Sequence, residues 1–581
     1  VNNFREKANF IWSIADLLRG PYKPADYGNV ILPLTVLRRL DTILAPTKEK
    51  VLQAFKQHKA KKPEVLEPIL NSVAKAKFHN RSRYDFDELA KDHNNIAANF
   101  HNYLNGYSNS VKEIIKHFNL DNEIRKLDES DILYLVVKKF AEAGDKFEGV
   151  SSMEMGYIFE ELIRKFAEAS NETAGDHFTP REVIRLMVNL LFHNDHTILR
   201  KKGIVKTVYD PACGTGGMLS TAEEYVHELN RDAKLEVFGQ EWNDQSFAIC
   251  KSDMLIKGQN PNNIAFGDSF AKDGFPDERF DYMLANPPFG VEWKKSEKFV
   301  KDEHASQGYE GRFGAGLPAI SDGSLLFLQH MISKMKQGKE GTRLAIVFNG
   351  SPLFSGGADS GPSNIRKWII ENDMLDAIVA MPDQLFYNTG ISTYIWIVTN
   401  RKEKQRKGKV QLINATGAAM EDKDNPFYKK MLRSLGNKRK EIHEEAIKRT
   451  TEIYTEFKEG SYCKIFDNED FGYRRITVER PKKNARGKPE KDKMGNLVAD
   501  SELRDFENVP LKENIHAYFK REVLPHVPDA WIDESKTKIG YEINFTRYFY
   551  QYKPLRSLEE IRKDILALER ETEGMIANII K

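Results

Sequence analysis

Val208-Tyr209-Asp210-Pro211-Ala212-Cys213-Gly214-Thr215-Gly216-Gly217-Met218-Leu219 is the stretch that decides the fold. A β-branched and aromatic run (residues 206–210) stops at Asp210, and a turn with three glycines follows. An apolar helical pattern through Leu219, Ala222, Val226 and Leu229 starts directly after it. Glycines at such a turn let the backbone approach a ligand at the carboxyl end of a parallel strand, where these sheets bind ligands. Taken alone, the turn would equally suit a dinucleotide site or a structural bend. No Lys-Ser/Thr pair follows the glycines, which rules out a phosphate-gripping loop.

Outward from the turn the pattern repeats. Runs at 235–241, 263–268, 280–288, 343–349, 375–382 and 392–399 alternate with helical stretches. The reading is a mostly parallel α/β sheet of seven strands. Only residues 383–391 separate the last two runs, too few for a crossover helix, so they are expected to pair antiparallel at one edge. Glu241 closes the second run, where a carboxylate can accept both hydroxyl protons of a ribose. Asp268 closes the third, placed to accept from the amino group of an adenine. Each acid alone reads as readily as a helix cap, but three successive strand ends point to a nucleoside pocket without phosphate chemistry. After the fourth run comes Asn286-Pro287-Pro288-Phe289. The prolines fix the backbone and remove amide donors, so the Asn286 side-chain oxygen and the Pro287 carbonyl can accept both hydrogens of an –NH2 group. Its lone pair then turns towards an electrophile, and Phe289 can stack on the base that carries it.

The flanks read differently. Residues 1–168 form an all-helical domain, with Phe10, Ile14, Leu17 and Leu18, then Ile31, Leu34, Leu37, Leu40 and Leu44, at helical spacing. Residues 169–400 are the catalytic domain and 401–556 a C-terminal extension. In that extension, two basic stretches (401–409 and 481–496) read by default as exposed loops or linkers, with a phosphate-contacting patch as the minority reading. Residues 557–581 are a closing helix with a Ser557/Glu560 capping box. Leu558, Ile561, Ile565, Leu568, Thr572, Met575 and Ile579 form its heptad seam, suited to the chain's own body or to a partner helix. The polar insert Lys294 to Gly316 reads as a mobile DNA-contacting loop, poorly ordered without DNA, or else as plain surface.

Composition sets limits on the whole. Across 581 residues, 88 Lys+Arg against 86 Asp+Glu leave a net charge of +2, which excludes a uniformly basic nucleic-acid coat. Three cysteines make no disulfide framework and fit a reducing cytoplasm. No apolar run nears the ~20 residues of a membrane span, and the histidines show no metal-ligand spacing, so no metal is expected. Cys213 follows Ala212 inside the turn and is expected to pack rather than react.

With these segments in place, the chain resembles the modification subunit of type I restriction-modification systems, an S-adenosylmethionine-dependent adenine-N6 DNA methyltransferase. The DPACGTGG and NPPF segments are typical of amino-methyltransferases. The narrower likeness rests on Met155-Gly156, Phe159-Glu160, Gly175 to Arg181, Phe386 to Ile391, Phe471 to Pro481 and the closing YEINFTRYFY segment, and spans nearly the whole chain. It implies a Rossmann-like methyltransferase sheet between an N-terminal helical domain and a helical C-terminal extension. Phe178, Thr179 and Pro180 would line the methionine side of the cofactor pocket. Asp210, Pro211, Gly214, Thr215, Gly216 and Gly217 would shape the methionine and ribose region. Glu241 would hold the ribose, and Asp268 with Ser269 the adenine. Asn286, Pro287, Pro288 and Phe289 would hold a flipped target adenine. His177 and Ser269-Phe270 depart slightly from the commonest family text, without removing a side chain the chemistry needs. The resemblance implies DNA and a separate specificity subunit as partners, with two modification subunits per specificity subunit, and leaves room for a restriction subunit. N-methylation of RNA or of a protein glutamine would use the same pocket, but leaves the helical domain and residues 471–481 unexplained. A non-catalytic phage-defence scaffold would keep the fold, but intact Asn286 and Asp210 speak against it.

Overall fold

Uninterrupted apolar strand runs require a sheet covered on both faces. A computed structural model, describing residues 3–144, 150, 154–155, 158–159, 161–162, 165, 179–387, 389–418, 423–550 and 557–579, builds such a sheet. Its strands are β1 (Val205–Asp210), β2 (Lys234–Glu241), β3 (Ile264–Phe266), β4 (Tyr282–Ala285), β5 (Arg343–Phe348), β6 (Leu375–Ala380), β7 (Tyr394–Thr399) and β8 (Lys409–Asn414). After a small hairpin, β9 (Lys429–Leu435) with β10 (Lys438–Glu441), the strand β11 (Cys463–Asp467) completes it. The order is β11-β8-β6-β7-β5-β4-β1-β2-β3. All strands run parallel except β7, which pairs antiparallel with β5 and β6, and β11, antiparallel to β8.

Three expectations are corrected here. Among the described residues the sheet has nine strands rather than seven, because β8 and β11 lie beyond residue 400. The antiparallel β7 is also not at an edge: it is inserted between β5 and β6. Its residues Ile395, Trp396, Ile397 and Val398 are fully buried, whereas an edge strand would carry charge or break its pattern. The basic stretch 401–409 is likewise no linker. Arg406 is buried between the rings of Tyr454 and Phe457 and reaches Asp376, while Lys402 Nζ lies 2.6 Å from Asp373 and Arg401 Nη1 2.9 Å from Asp195. Asp376 on β6, Asp373 just before it and Asp195 in the turn His193–Asp195 neutralise these cations, so the chain is fastened where composition suggested a solvated loop.

The N-terminal residues form a helical bundle around Tyr27–Leu44, a helix buried almost all round, as its apolar sequence demands. Its Asp41 accepts from the Tyr103 and Tyr107 hydroxyls (2.9 and 3.1 Å) and the Phe86 amide. Burial pushes its carboxyl up to about 6. The core of this bundle takes in Ala248, Ile249 and Leu255 of the helix Asp244–Ile256. That helix follows β2 directly, so the bundle braces one wall of the cleft described below.

Beyond β11, a second sheet of three strands forms from β12 (Gly472–Glu479), β13 (Asp505–Pro510) and β14 (Trp531–Tyr541), with β12 central. It is fastened by Arg366, fully buried on the helix Gly361–Glu371. Nε donates to the Tyr541 carbonyl (2.6 Å), Nη1 to that of Pro352 (3.0 Å) and Nη2 to that of Ser355 (2.8 Å). Removing the guanidinium leaves buried carbonyls unpaired, so Arg366→Ala is expected to lower unfolding free energy by about 2–3 kcal/mol, measurable by urea denaturation.

Residues Asn544–Lys581 are a separate unit. There Ser557 and Glu560 make the expected capping box (Glu560 N–H to Ser557 Oγ 3.2 Å, Ser557 N–H to Glu560 Oε2 3.0 Å), opening the helix Leu558–Ile579. Leu558, Ile561 and Ile565 of the seam are exposed. No helix of the described residues is long and apolar enough to cross a membrane.

Candidate active site

In a parallel sheet, ligands bind where the strand order reverses. Here that point is β1, with β2 on one side and β4 on the other. At its carboxyl end opens a cleft of about 700 Å³. Thr179, Asp210, Pro211, Gly214, Thr215, Gly217, Glu241, Asp268, Ser269, Asn286 and Pro288 all line it. Pro180, Gly216, Pro287 and Phe289, also expected at the site, are not among the residues that line it. Phe178, and His177 before it, lie outside the described residues.

The glycine turn is held by shape. Gly216 caps the helix Gly217–Leu229 at φ +85°, which side-chain-bearing residues rarely adopt, and a Cβ there would fall 2.8 Å from Cys250 Sγ. Cys213 is buried 3.9 Å from the same thiol, and that hydrogen bond and burial push its own thiol far up, which removes it from nucleophilic chemistry.

Glu241, at the end of β2, ties two turns together. One carboxylate oxygen accepts from the amides of Trp242 (2.9 Å) and Asn243 (2.8 Å), the other from Gly214 (2.8 Å). Asp210 is fully buried at the end of β1 and accepts from the Ala212 amide. Burial first, with Glu241 adding to it, pushes its carboxyl up to about 8. The Ser269 hydroxyl is spent on the Pro211 carbonyl (2.6 Å), joining the β1 and β3 ends.

Asn286 carries the most telling geometry. Its Nδ2 donates to Thr179 Oγ1 at 2.8 Å, which sets the amide's orientation. Its Oδ1 is buried with no hydrogen-bond partner. Buried acceptors are nearly always satisfied, and leaving one empty costs roughly 1–3 kcal/mol. Phe289 packs edge-to-face on the buried ring of Phe386 (centroids 5.7 Å apart), backing this end of the cleft.

The insert 294–316 corrects another expectation. It is folded, with a helix Glu297–Gln307 whose Val300 packs with Trp293, Phe313 and Phe270 in a small core. Arg312 explains why a polar segment holds its shape. It forks onto Glu303 (Nε 3.1 Å, Nη2 2.7 Å) and donates to the carbonyls of Ser269 (2.7 Å) and Phe270 (2.8 Å). Ser296 caps this arrangement with a hydroxyl hydrogen bond to Asp268, whose other oxygen accepts from the Phe270 amide (2.9 Å). Arg312 also meets buried His330, held neutral by burial and by that guanidinium down to about 3. Its Nδ1 therefore accepts, and Nε2 donates to the Tyr209 hydroxyl (3.1 Å). Freed of Arg312, the loop bearing Asp268 should loosen. Arg312→Ala is expected to raise the cofactor KM about tenfold with a smaller change in kcat, read by steady-state kinetics, since charge-assisted hydrogen bonds are worth roughly 1.5–3 kcal/mol.

Trp242, Lys295 and Ser296 also line the cleft and carry no site reading in the sequence; Phe270, which lines it too, stands out there only as a departure from the family text. Trp242 is half exposed, with the Lys295 ammonium 5.2 Å from its ring. Its position one residue after a strand-end acid was the available signal; Ser296 had none, sitting in the insert read as a loop. The bundle reaches this wall too: His117 Nδ1 lies 2.7 Å from Asp244, and Lys251 bridges to Glu113 (2.7 Å). Among the described residues, no group of three or more His, Cys, Asp or Glu side chains could hold a metal ion.

Known proteins share this architecture. Residues 151–484 match the family model for N-6 DNA methylase, and residues 7–140 that for the HsdM N-terminal domain. The chain is 27% identical over 472 residues to the type I restriction enzyme MjaIX methylase subunit of Methanocaldococcus jannaschii, covering 78% of each. It is 30% identical over 264 residues to the HindI methylase subunit of Haemophilus influenzae, covering 45% of this chain and 54% of that one. A crystal structure of a type I restriction-modification methyltransferase subunit from Streptococcus thermophilus superposes with a TM-score of 0.61 at 21% identity. The match covers 81% of this chain and 97% of the other, and shows the shared fold.

Proposed function

This chain belongs to the N-6 DNA methylase family and is a type I restriction-modification methylase subunit, and from that premise we propose that it methylates adenine N6 in DNA using S-adenosylmethionine. The observation that carries the reading is the empty, buried Oδ1 of Asn286 in one cleft with three strand-end acids.

S-adenosylmethionine, when bound, supplies a sulfonium methyl. The residues present fit it. Glu241 and the Gly214–Gly217 turn would hold the sugar, and Asp268, positioned by Ser296, the adenine ring with Trp242 beside it. Asp210 and Thr179 would face the methionine end. A cationic ligand there would favour the ionised form of Asp210, which burial otherwise opposes.

On the other side, Asn286 Oδ1 and the Pro287 carbonyl would accept the two hydrogens of the target N6. That makes the amine nitrogen more tetrahedral and aims its lone pair. Thr179, by holding Nδ2, keeps Oδ1 aimed without a conformational search. Since the adenine must leave the helix at a cost of a few kcal/mol, Phe289 and its Phe386 backing would offer a stacking surface. Rate enhancement then rests on alignment and placed dipoles, with no covalent enzyme adduct.

DNA reading would come from a separate specificity subunit, with the closing helix, whose Leu558, Ile561 and Ile565 are exposed, as the docking element for it. Two copies of this chain per specificity subunit, and a restriction subunit beside them, complete the proposed assembly. The test is transfer of labelled methyl groups to unmodified DNA by the chain with its specificity partner. Absence of label in adenine from that complex would overturn the reading.

A further inference from the structure

Resting on that reading, we infer that residues 481–499 form a rigid basic ribbon that grips the DNA backbone beside the target site. Residues 481–496 hold six Lys and Arg against Glu490 and Asp492, a net of +4 in a chain whose total is +2. Taken as sequence, this reads by default as a loop or linker, with phosphate contact as the minority reading. In the structure it folds into three short antiparallel segments, bridged at Pro481 with Ala499, Lys483 with Pro489 and Lys491 with Leu497.

Two matching turns set its shape. Asn484 Oδ1 accepts from the amides of Arg486 (2.9 Å) and Lys488 (3.2 Å), and Asp492 Oδ1 from those of Met494 (2.8 Å) and Asn496 (2.9 Å). Gly487 and Gly495 supply the positive φ at each. One acid of the ribbon thus serves backbone amides, and Glu490 pairs with Lys482 (3.5 Å). Lys483 pairs with Asp529 (3.2 Å), off the ribbon. Arg486, Lys488, Lys491 and Lys493 are exposed and make no ion pair among the described residues.

Four free cations held on a preformed ribbon, with only Met494 and Leu497 as exposed large apolar side chains there, suit a regular polyanion better than a protein pocket. Placement favours the same partner. β4 and β5 run parallel, so Asn286 and the segment after β5 emerge at one edge of the main sheet. Arg366 fastens the Tyr541 end of β14 to that segment, and β12, paired there through Gly472, runs away from it for eight residues. The ribbon begins past the far end of β12, roughly 25 Å from the fastening at about 3.3 Å per residue. Counted from the fastening rather than from Asn286, that is under one turn of duplex, and it suits backbone phosphates outside the base pocket rather than the base itself.

The test uses the full chain carrying Arg486→Gln, Lys488→Gln, Lys491→Gln and Lys493→Gln together. Fluorescence anisotropy follows its binding to a mixed-sequence duplex of roughly 30 base pairs between about 50 and 200 mM salt. Each lost phosphate contact should flatten the slope of log K against log salt by about 0.9, so a slope shallower by about 2–4 is expected. Binding at the low-salt end should be weaker by about tenfold or more, with cofactor affinity and melting temperature unchanged, because these side chains lie outside the cleft and the core. An unchanged slope with methylation intact would overturn the ribbon's role alone. Unchanged DNA binding with loss of specificity-subunit assembly would overturn it in favour of protein docking. A wild-type chain that neither binds nor methylates DNA would overturn the functional reading as well.

Discussion

Asn286→Ala is expected to lower methyl transfer by about 10³-fold, the cost of removing a placed dipole from a transition state, while S-adenosylmethionine still binds within about twofold of wild type, since no cofactor contact is assigned to this amide. Single-turnover transfer and calorimetric titration separate the two quantities. The structure adds a second expectation that a merely structural asparagine would not meet. Oδ1 is buried without a partner, so the folded protein already bears that desolvation cost. Truncation removes the cost together with the Thr179 hydrogen bond, and the two nearly cancel. The melting temperature of Asn286→Ala should therefore match or slightly exceed that of wild type. A packing residue at this burial would instead lose stability on truncation. Asn286→Asp keeps an acceptor towards the target and lets the Thr179 hydroxyl rotate to donate. It should retain more activity than the alanine variant, with a loss of about tenfold. Full activity in Asn286→Ala would remove the base-orienting role altogether.

Legibility in the sequence followed the range of the interaction that made each feature. Asp210, Glu241 and Asp268 could be found because each sits at the end of an apolar strand run, a local signal, and they share one cleft because parallel neighbours end at one edge. The pairing of β6 with β7 was equally readable from their short connection. Where β7 then inserts depends on β5, some fifty residues earlier in the chain, and nothing near Tyr394–Thr399 states it except a lack of charge. Arg406 and Arg312 mark the harder limit. Their segments are rich in charge and look solvated, yet Asp376 and Glu303 with two main-chain carbonyls meet those guanidiniums inside the fold. Composition counts charges without their partners, and so it misreads a cation that is buried against its own acceptors. The capping box before Leu558 was exact for the opposite reason, since all its partners lie within three residues.

Glu241→Gln should separate cofactor binding from chemistry as cleanly as Asn286 separates them the other way. The wild-type carboxylate accepts three amides, two on Oε1 and one on Oε2, with the chain entering from both the Gly214 turn and the segment after β2. A glutamine has a single acceptor oxygen. If that oxygen faces Trp242 and Asn243, its NH2 group confronts the Gly214 amide; if it faces Gly214, the NH2 group confronts two amides. Either way a donor opposes a donor in a buried site, at roughly 1–3 kcal/mol, and the acceptor proposed for the ribose hydroxyls is lost as well. The cofactor dissociation constant should rise by about 100-fold, that is by about 2.7 kcal/mol. Transfer at saturating cofactor should fall much less, because Asn286, the Pro287 carbonyl and Thr179 are untouched. Glu241→Ala, which removes the opposed donor but leaves all three amides without the carboxylate, should weaken binding to a similar degree. The isosteric change is thus no milder than the truncation, a pattern that would not arise if Glu241 merely filled space. Equal loss of kcat in both variants, with cofactor affinity preserved, would place Glu241 in the chemical step and contradict its assignment to the sugar.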